Sequence, residues 1–91
     1  MTISAYVFIT LREYLLNSSK IIFEESVIDF KKAVQSFEGV DSIFIVEPSN
    51  SPYNAIAKVS TSSIQTLSKV ILGKISKLPQ VRETKTMIII G

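Results

Sequence analysis

Residues 41–59 read DSIFIVEPSNSPYNAIAKV, and this stretch predicts a β-hairpin. Apolar residues that favour strands occupy both of its ends, so we expect strands over residues 41–48 and 53–59. Between them, residues 48–52 combine two prolines, two serines and one asparagine, a composition typical of a tight connection. This hairpin is the centre of the predicted fold, and the other elements are arranged around it.

Helices are predicted before and after the hairpin in the sequence, because apolar residues recur there at helical spacing. Before it, the polar residues 17–19 can cap a helix with the apolar stripe Phe23, Val27, Phe30, Val34 and Phe37. After it, Ser62 and Gln65 match a capping box, and a second stripe continues to Pro79: Ile64, Leu67, Ile71, Ile75 and Leu78. Gly73 lies inside this second helix, which predicts close packing against another backbone.

Two further strands are predicted outside these helices, at residues 3–11 and 82–90. The resulting order is βαββαβ, in a single domain over residues 1–91. Two right-handed βαβ halves of this kind interleave into a ferredoxin-like α+β fold. We therefore expect a four-stranded antiparallel sheet with two helices on one face.

Two helices cover only one face of such a sheet, and the other face here is also apolar. Hydrophobic residues make up 46% of the chain, more than so small a domain buries by itself. The residues predicted on the uncovered face are Tyr6, Phe8, Phe44, Val46, Ile88 and Ile90. We expect this face to be a dimer interface, at which two sheets pack together into an α+β barrel.

The composition excludes several classes of function. The chain has no cysteine and no histidine, which removes disulfides, thiol nucleophiles and the commonest general base and metal ligand. Its three glycines do not form a phosphate-binding loop. We expect no catalytic residue, no metal and no cofactor.

The sequence also bears on where the protein works. No apolar stretch approaches the roughly 20 residues that a bilayer requires, and residues 2–4 lack the basic start of a signal peptide. Ten basic residues exceed the eight acidic ones only slightly and are scattered along the chain. We expect a cytoplasmic protein without a membrane or direct nucleic-acid partner.

Four segments carry a resemblance to a known family. They are AYVFI at residues 5–9, FEGV at 37–40, PYNAIAKV at 52–59 and KISKLPQVRETKT at 74–86. Together they resemble the regulation-of-amino-acid-metabolism (RAM) module of the Lrp/AsnC transcription regulators. The predicted first strand leaves no room for the helix-turn-helix of those regulators. The chain is therefore similar to a stand-alone RAM protein, a type found mainly in archaea and bacteria.

The resemblance implies an assembly and a binding site. RAM modules dimerise through their sheets, form octameric or decameric rings, and bind small effectors, typically amino acids, between dimers. A Gly-x-Tyr-Asp turn of the family contributes to that pocket, and Ser51, Pro52, Tyr53 and Asn54 stand at its positions. The implied ligand-binding residues are thus Ser51, Tyr53 and Asn54, joined by Thr84. Ser51 replaces the glycine of that pattern and Asn54 replaces the aspartate.

The residues alone leave alternatives open. Residues 49–54 are also explained as an ordinary hairpin turn, and Thr84 as a strand residue. The leading hypothesis is a non-catalytic, oligomeric amino-acid-binding module that modulates a full-length Lrp/AsnC regulator. The alternatives are a small enzyme of the dimeric α+β-barrel type, and a structural or protein-interaction module with a vestigial pocket.

Overall fold

The computed structural model describes residues 2–17, 19–46 and 52–90. These residues form a four-stranded sheet and its helices. The elements are β1 (Ile3–Leu11), α1 (Glu13–Leu16), α2 (Lys20–Ser36), β2 (Val40–Ile45), β3 (Ala55–Thr61), α3 (Ile64–Gly73) and β4 (Val81–Ile88). A 3-10 helix, Ile75–Lys77, connects α3 to β4. The strand order across the sheet is β2-β3-β1-β4, and all three neighbouring pairs are antiparallel.

The hydrophobic core lies between one face of this sheet and the two long helices. Every second residue of the central strands is buried on that face: Ala5, Val7, Ile9 and Leu11 of β1, and Ala55, Ala57 and Val59 of β3. Phe30 and Val34 of α2 and Leu67, Val70 and Ile71 of α3 belong to the same buried cluster. The predicted α+β fold, with its antiparallel sheet, is confirmed.

A four-residue helix, α1, occupies part of the segment between β1 and α2 and was not predicted. Its Leu15 is buried in the core, whereas Glu13 and Tyr14 beside it are exposed. Burial of one leucine stabilises a helical turn that is too short to have a periodic sequence signal. The predicted cap of the following helix is confirmed, because the Ser19 side chain accepts a hydrogen bond from the Ile22 amide at 3.4 Å.

The second long helix begins one residue later than predicted and ends earlier, at Gly73. Ser63 is the N-cap, one residue after the predicted Ser62, and its Oγ accepts from the Thr66 amide at 3.1 Å. The helix does not continue to Pro79, because Lys74 leaves helical geometry at φ −128° and ψ −63°. The tighter 3-10 turn that follows buries Ile75 completely in the core.

Two glycines illustrate different backbone requirements. Gly39 has φ +96°, and a Cβ added there would lie 3.3 Å from the Ser60 carbonyl oxygen and 3.3 Å from Cγ2 of Thr61. Both the dihedral angle and the space therefore require glycine in the turn before β2. A Cβ added at Gly73 would meet nothing within 4 Å, so the predicted close packing at Gly73 is wrong.

We predict opposite effects for alanine at these two glycines. Gly39→Ala should lower the free energy of unfolding by about 1 kcal/mol or more, since alanine resists positive φ and crowds β3. Gly73→Ala, the matched control, should leave stability unchanged or raise it by up to about 1 kcal/mol. Urea denaturation at one fixed protein concentration measures both, and equal losses would contradict the difference between the two sites.

Candidate ligand site and open sheet face

The sheet face turned away from the helices, called the open face below, carries a band of large apolar side chains. Phe44, Ile56 and Phe8 stand in register across β2, β3 and β1. In the next row, Tyr6 lies opposite Met87 of β4. Phe44 is 60% exposed, Met87 52% and Tyr6 41%. These exposed fractions are high for large apolar side chains, and the helices of this chain do not cover them.

The structure places three of the predicted interface residues on this face and corrects a fourth. Tyr6, Phe8 and Phe44 lie there, as expected. Ile88 lies opposite Ala5, a core residue, so its side chain is on the helix-covered face and the predicted placement is wrong. Met87 takes its place on the open face, and sequence analysis missed it.

The error has an identifiable cause. Residues 87–90 are all apolar, so alternation does not assign their faces. The register also shifts between Thr10 and Leu11, where β4 holds one extra residue. Ile90 lies beyond the end of β4 and is almost fully exposed, and Val46 follows β2 with its side chain half-buried. The interface role of all these residues stays a prediction.

Polar side chains also lie on the open face, next to the apolar band and at one end of it. Lys58 lies opposite Tyr6, and Lys85 lies opposite Phe8. At the end where β1 begins, the Ser60 hydroxyl donates to the Asp41 carboxylate and lies 3.1 Å from the Ser4 hydroxyl. The open face therefore carries its apolar band next to two lysines, with a polar cluster at one end.

Asn54, a predicted ligand residue, is 7% exposed and is part of the sheet's own hydrogen bonding. Its Oδ1 accepts from the Leu11 amide at 2.9 Å, and its backbone amide donates to the Ile9 carbonyl at 2.8 Å. Its carbonyl oxygen accepts from the Val46 amide at 2.9 Å. Asn54 thus joins three strands where the hairpin begins its return, a role that its sequence position alone did not indicate.

The other predicted ligand residues occupy different surroundings. The Tyr53 ring lies 5.4 Å from the Phe8 ring, centroid to centroid, with the planes tilted by 50°, so it extends the open face. Thr84 lies opposite Ile9 on the helix-covered face, with its Oγ1 3.3 Å from the Ser76 hydroxyl. A single chain therefore does not bring Tyr53 and Thr84 together. Ser51 falls outside the described residues.

Two buried oxygens near Asn54 have no hydrogen-bond partner among the described residues. They are Oγ1 of Thr10, a residue only 4% exposed, and Oε1 of Gln80. Asn54 bonds to both sequence neighbours of Thr10, and the Gln80 carbonyl accepts from the Arg12 amide at 3.0 Å. Both orphan oxygens thus belong to the end of the sheet where β1 finishes. An unpaired buried oxygen costs about 1–3 kcal/mol, so this end favours an incoming hydrogen-bond donor.

A cavity of about 590 Å³ opens at the opposite end of the sheet. Gly39, Ser62, Thr66, Lys69 and Lys74 are among the residues that line it. Within the described ranges, both buried side-chain oxygens that lack a partner belong to residues outside this lining. In the described part of the chain, the buried side-chain oxygens without a hydrogen-bond partner therefore lie at the Asn54 end of the sheet, away from this cavity.

Among the residues that the structure describes, no three histidine, cysteine, aspartate or glutamate side chains are grouped so that they could hold a metal ion. None of the described helices combines the length and the apolar character that crossing a bilayer demands.

Substitution of Asn54 tests its structural role. Asn54→Ala leaves the buried Leu11 amide without its acceptor and should lower the free energy of unfolding by about 1–3 kcal/mol. Asn54→Asp keeps an acceptor at that position and should cost less. Asn17→Ala, at an exposed asparagine, is the control and should change stability by less than about 0.5 kcal/mol. Urea denaturation compares them, and equal stability of the alanine and wild-type chains would contradict the role.

The fold is shared with solved structures of low sequence identity. A protein of Thermus thermophilus (TTHA0845) is 22% identical, with 98% of this chain and 94% of that one covered and a TM-score of 0.74. A hypothetical protein of Pyrococcus horikoshii (PHS023) is 24% identical, with 99% and 90% covered and a TM-score of 0.69. These likenesses establish the fold alone.

Regulators of about twice this length share the same fold in one half of their chains. The transcriptional regulator NMB0573 of Neisseria meningitidis, solved as a complex with L-Met, is 12% identical, with 98% of this chain and 50% of that one covered and a TM-score of 0.75. Comparison with the curated proteins returned no match. The family model described as the Lrp/AsnC ligand binding domain matches residues 4–91, and the chain therefore belongs to the Lrp/AsnC ligand-binding domain family.

Proposed function

We propose that the protein is a non-catalytic, oligomeric module that binds an amino acid and modulates transcription regulators of the Lrp/AsnC type. The observation that carries the proposal is the apolar open face, in a chain that belongs to a family of ligand-binding domains. The unit is the single domain of residues 1–91. Its copies pair through their open faces, and the pairs assemble into a ring of octameric or decameric size.

Exposure and pairing geometry support the open face as the contact between two copies. Phe44, Tyr6 and Met87 all remain more than one-third exposed in the single chain. Water around such a patch is released when a second identical sheet covers it, and the gain is about 25 cal/mol for each Å² of apolar surface. The Ser4–Ser60–Asp41 cluster forms a polar margin at one end of the face, as is typical of interfaces.

The end of the sheet near Tyr53 and Asn54 is the proposed place of the effector. Thr10 Oγ1 and Gln80 Oε1 are buried oxygens without a donor among the residues that the structure describes, and the α-ammonium group of an amino acid supplies three. Tyr53 offers an aromatic surface beside them. Thr84 lies on the other sheet face, so in this proposal it reaches the effector from a neighbouring copy.

One observation favours a second candidate function, a protein-interaction module with a vestigial pocket. The Oδ1 atom of Asn54 is already occupied by the Leu11 amide, so its acceptor oxygen is engaged within the sheet. In that case assembly and contact with a larger regulator would be the whole function. Titration with amino acids separates the two candidates.

Disruption of the open face should change the oligomeric state. Phe44→Asp places a charge at the β2 end of the apolar band and should convert the wild-type dimer or ring into smaller species at micromolar concentration. Ile22→Asp, at a similarly exposed apolar residue on α2, should leave the assembly unchanged. Sedimentation velocity measures both, and a monomeric wild-type protein at micromolar concentration would refute face pairing.

Calorimetric titration should detect a saturable amino-acid ligand. L-Met is the first probe, because it was found in the Neisseria regulator of the same fold, and the other common amino acids follow. Tyr53→Ala should weaken the binding by roughly tenfold or more through loss of the aromatic wall, while Ile28→Ala, at an exposed apolar residue of α2, should not. Absence of heat with every amino acid, while the assembly is intact, would leave the interaction module as the function.

A further inference from the structure

The cavity at the end of the sheet opposite Asn54, called the α3 cavity below, has one face of α3 as a wall. Thr66, Lys69 and Val70 line it, and residues three and four apart share one side of a helix. Lys74, directly after the last residue of α3, continues this wall. The turn before β2 and the end of β3 form the rest, with Gly39 and Ser60 among their lining residues.

The size of the α3 cavity suits a small organic molecule. Its volume of about 590 Å³ lies within the range of roughly 300–1,000 Å³ that is typical of small-molecule sites. A single water or inorganic ion would leave most of this space unfilled. Lys69 and Lys74 are both exposed, so a ligand from solution reaches them directly.

The charged side chains give the α3 cavity a positive balance. Lys69 and Lys74 line it together with one acid, Glu38, so the lining charges sum to +1. Among the residues that the structure describes, neither lysine forms an ion pair. The Lys74 ammonium lies 5.8 Å from the centre of the Phe37 ring, a contact that orients the ammonium without neutralising it. Two charged groups are therefore available to an anion.

A hydroxyl donor lies on the same wall. Ser60 donates to the Asp41 carboxylate and Thr61 to the Ser63 carbonyl, so the hydrogens of these two hydroxyls are already used. Ser63 Oγ accepts from the Thr66 amide at 3.1 Å and lies 3.0 Å from Thr66 Oγ1. When Ser63 donates its own hydrogen to Thr66 Oγ1, the hydrogen of the Thr66 hydroxyl is left for a ligand.

We propose that the α3 cavity binds a small phosphate monoester that also carries hydroxyl groups. Lys69 and Lys74 pair with the phosphate oxygens, and the Thr66 hydroxyl donates to one of them. Glu38 accepts from a hydroxyl group of the ligand. This site goes beyond the proposed function, in which an amino acid binds at the Asn54 end of the sheet.

The chemistry of the lining favours a phosphate over an amino acid. A phosphate monoester carries a charge of about −1.5 to −2 at pH 7 and three acceptor oxygens, which match two ammonium groups and one hydroxyl. An amino acid has only one negative charge at its carboxylate, and its own ammonium group is repelled by Lys69 and Lys74. A dicarboxylate has the right charge but a different shape, so it serves as a comparison in the test.

Face pairing leaves the α3 cavity accessible. Pairing uses the open face, where Tyr6 and Phe44 lie, whereas α3 packs on the other side of the sheet. Lys69 and Lys74 belong to the helix side. The cavity can therefore be filled while two copies are paired, and its ligand does not compete with assembly.

Titration with ribose 5-phosphate tests the ligand class. Isothermal calorimetry of the wild-type assembly should show saturable binding of this probe, and ribose, which lacks the phosphate, should not bind. Succinate, a dicarboxylate, should bind at least tenfold more weakly because it lacks the third oxygen. Absence of ribose 5-phosphate binding, or equal binding of succinate, overturns the proposal.

Substitutions test the residues. Lys69→Gln and Lys74→Gln should each weaken ribose 5-phosphate binding by roughly tenfold, and Thr66→Val should weaken it severalfold. Lys32→Gln, at an exposed lysine on α2, removes the same charge and should bind like the wild type. Urea denaturation without ligand should show that all four variants are folded, since these side chains are exposed. Equal weakening by Lys32→Gln and Lys69→Gln would mean non-specific attraction and overturns the site.

Glu38 has a separate readout. Glu38→Ala should bind inorganic phosphate at least as well as the wild type, because a carboxylate is removed from the lining. The same variant should lose the preference for ribose 5-phosphate over inorganic phosphate. An unchanged preference contradicts the hydroxyl contact at Glu38.

Amide chemical shifts locate the bound probe. Ribose 5-phosphate should move the resonances of Thr66, Lys69 and Lys74 in the wild type and leave them in place in Lys69→Gln. Shifts confined to Tyr53 and Asn54 would place the anion at the other end of the sheet and overturn the α3 cavity as its site. The amino-acid titration described above is independent of this result, so failure of one proposal is distinguishable from failure of the other.

Discussion

The structure depends on one constraint, that two helices cover only one face of a four-stranded sheet. The buried side chains of β1 and β3, from Ala5 to Leu11 and from Ala55 to Val59, satisfy that constraint on the helix side. The alternation that buries them directs Tyr6, Phe8 and Ile56 to the other side. The open face is therefore apolar, and in a single copy of the chain it remains exposed to water.

Strand faces were predictable where two kinds of side chain alternate. The bounds of β1 match the predicted residues 3–11, because alanine and aliphatic residues alternate with serine, threonine and aromatic residues along the whole strand. The faces of residues 87–90 were not predictable, since all four are apolar and a bulge in β4 shifts the register. In that region, long-range pairing with β1 decides the orientation, and local sequence does not contain it.

Local sequence also did not decide which serine caps α3 or what Asn54 bonds to. Two adjacent serines can each cap α3, and the choice of Ser63 depends on its surroundings, where the Thr61 hydroxyl donates to the Ser63 carbonyl at 2.8 Å. Asn54 was singled out by a resemblance in the turn, yet its carboxamide bonds to an amide 43 residues away. A contact between strands so distant in the chain leaves no signal in the local sequence.

The unsatisfied groups of the single chain fall into three sets with different chemistry. The open face lacks an apolar cover, the edge strands β2 and β4 each lack a neighbour on one side, and, among the described residues, Thr10 Oγ1 and Gln80 Oε1 lack hydrogen-bond donors. A flat apolar face is satisfied by another sheet and an edge by another strand, so a second copy of the chain supplies both. The buried oxygens of the Thr10 and Gln80 side chains require a small hydrogen-bond donor instead. In the proposed function, assembly and ligand binding therefore use different parts of one sheet.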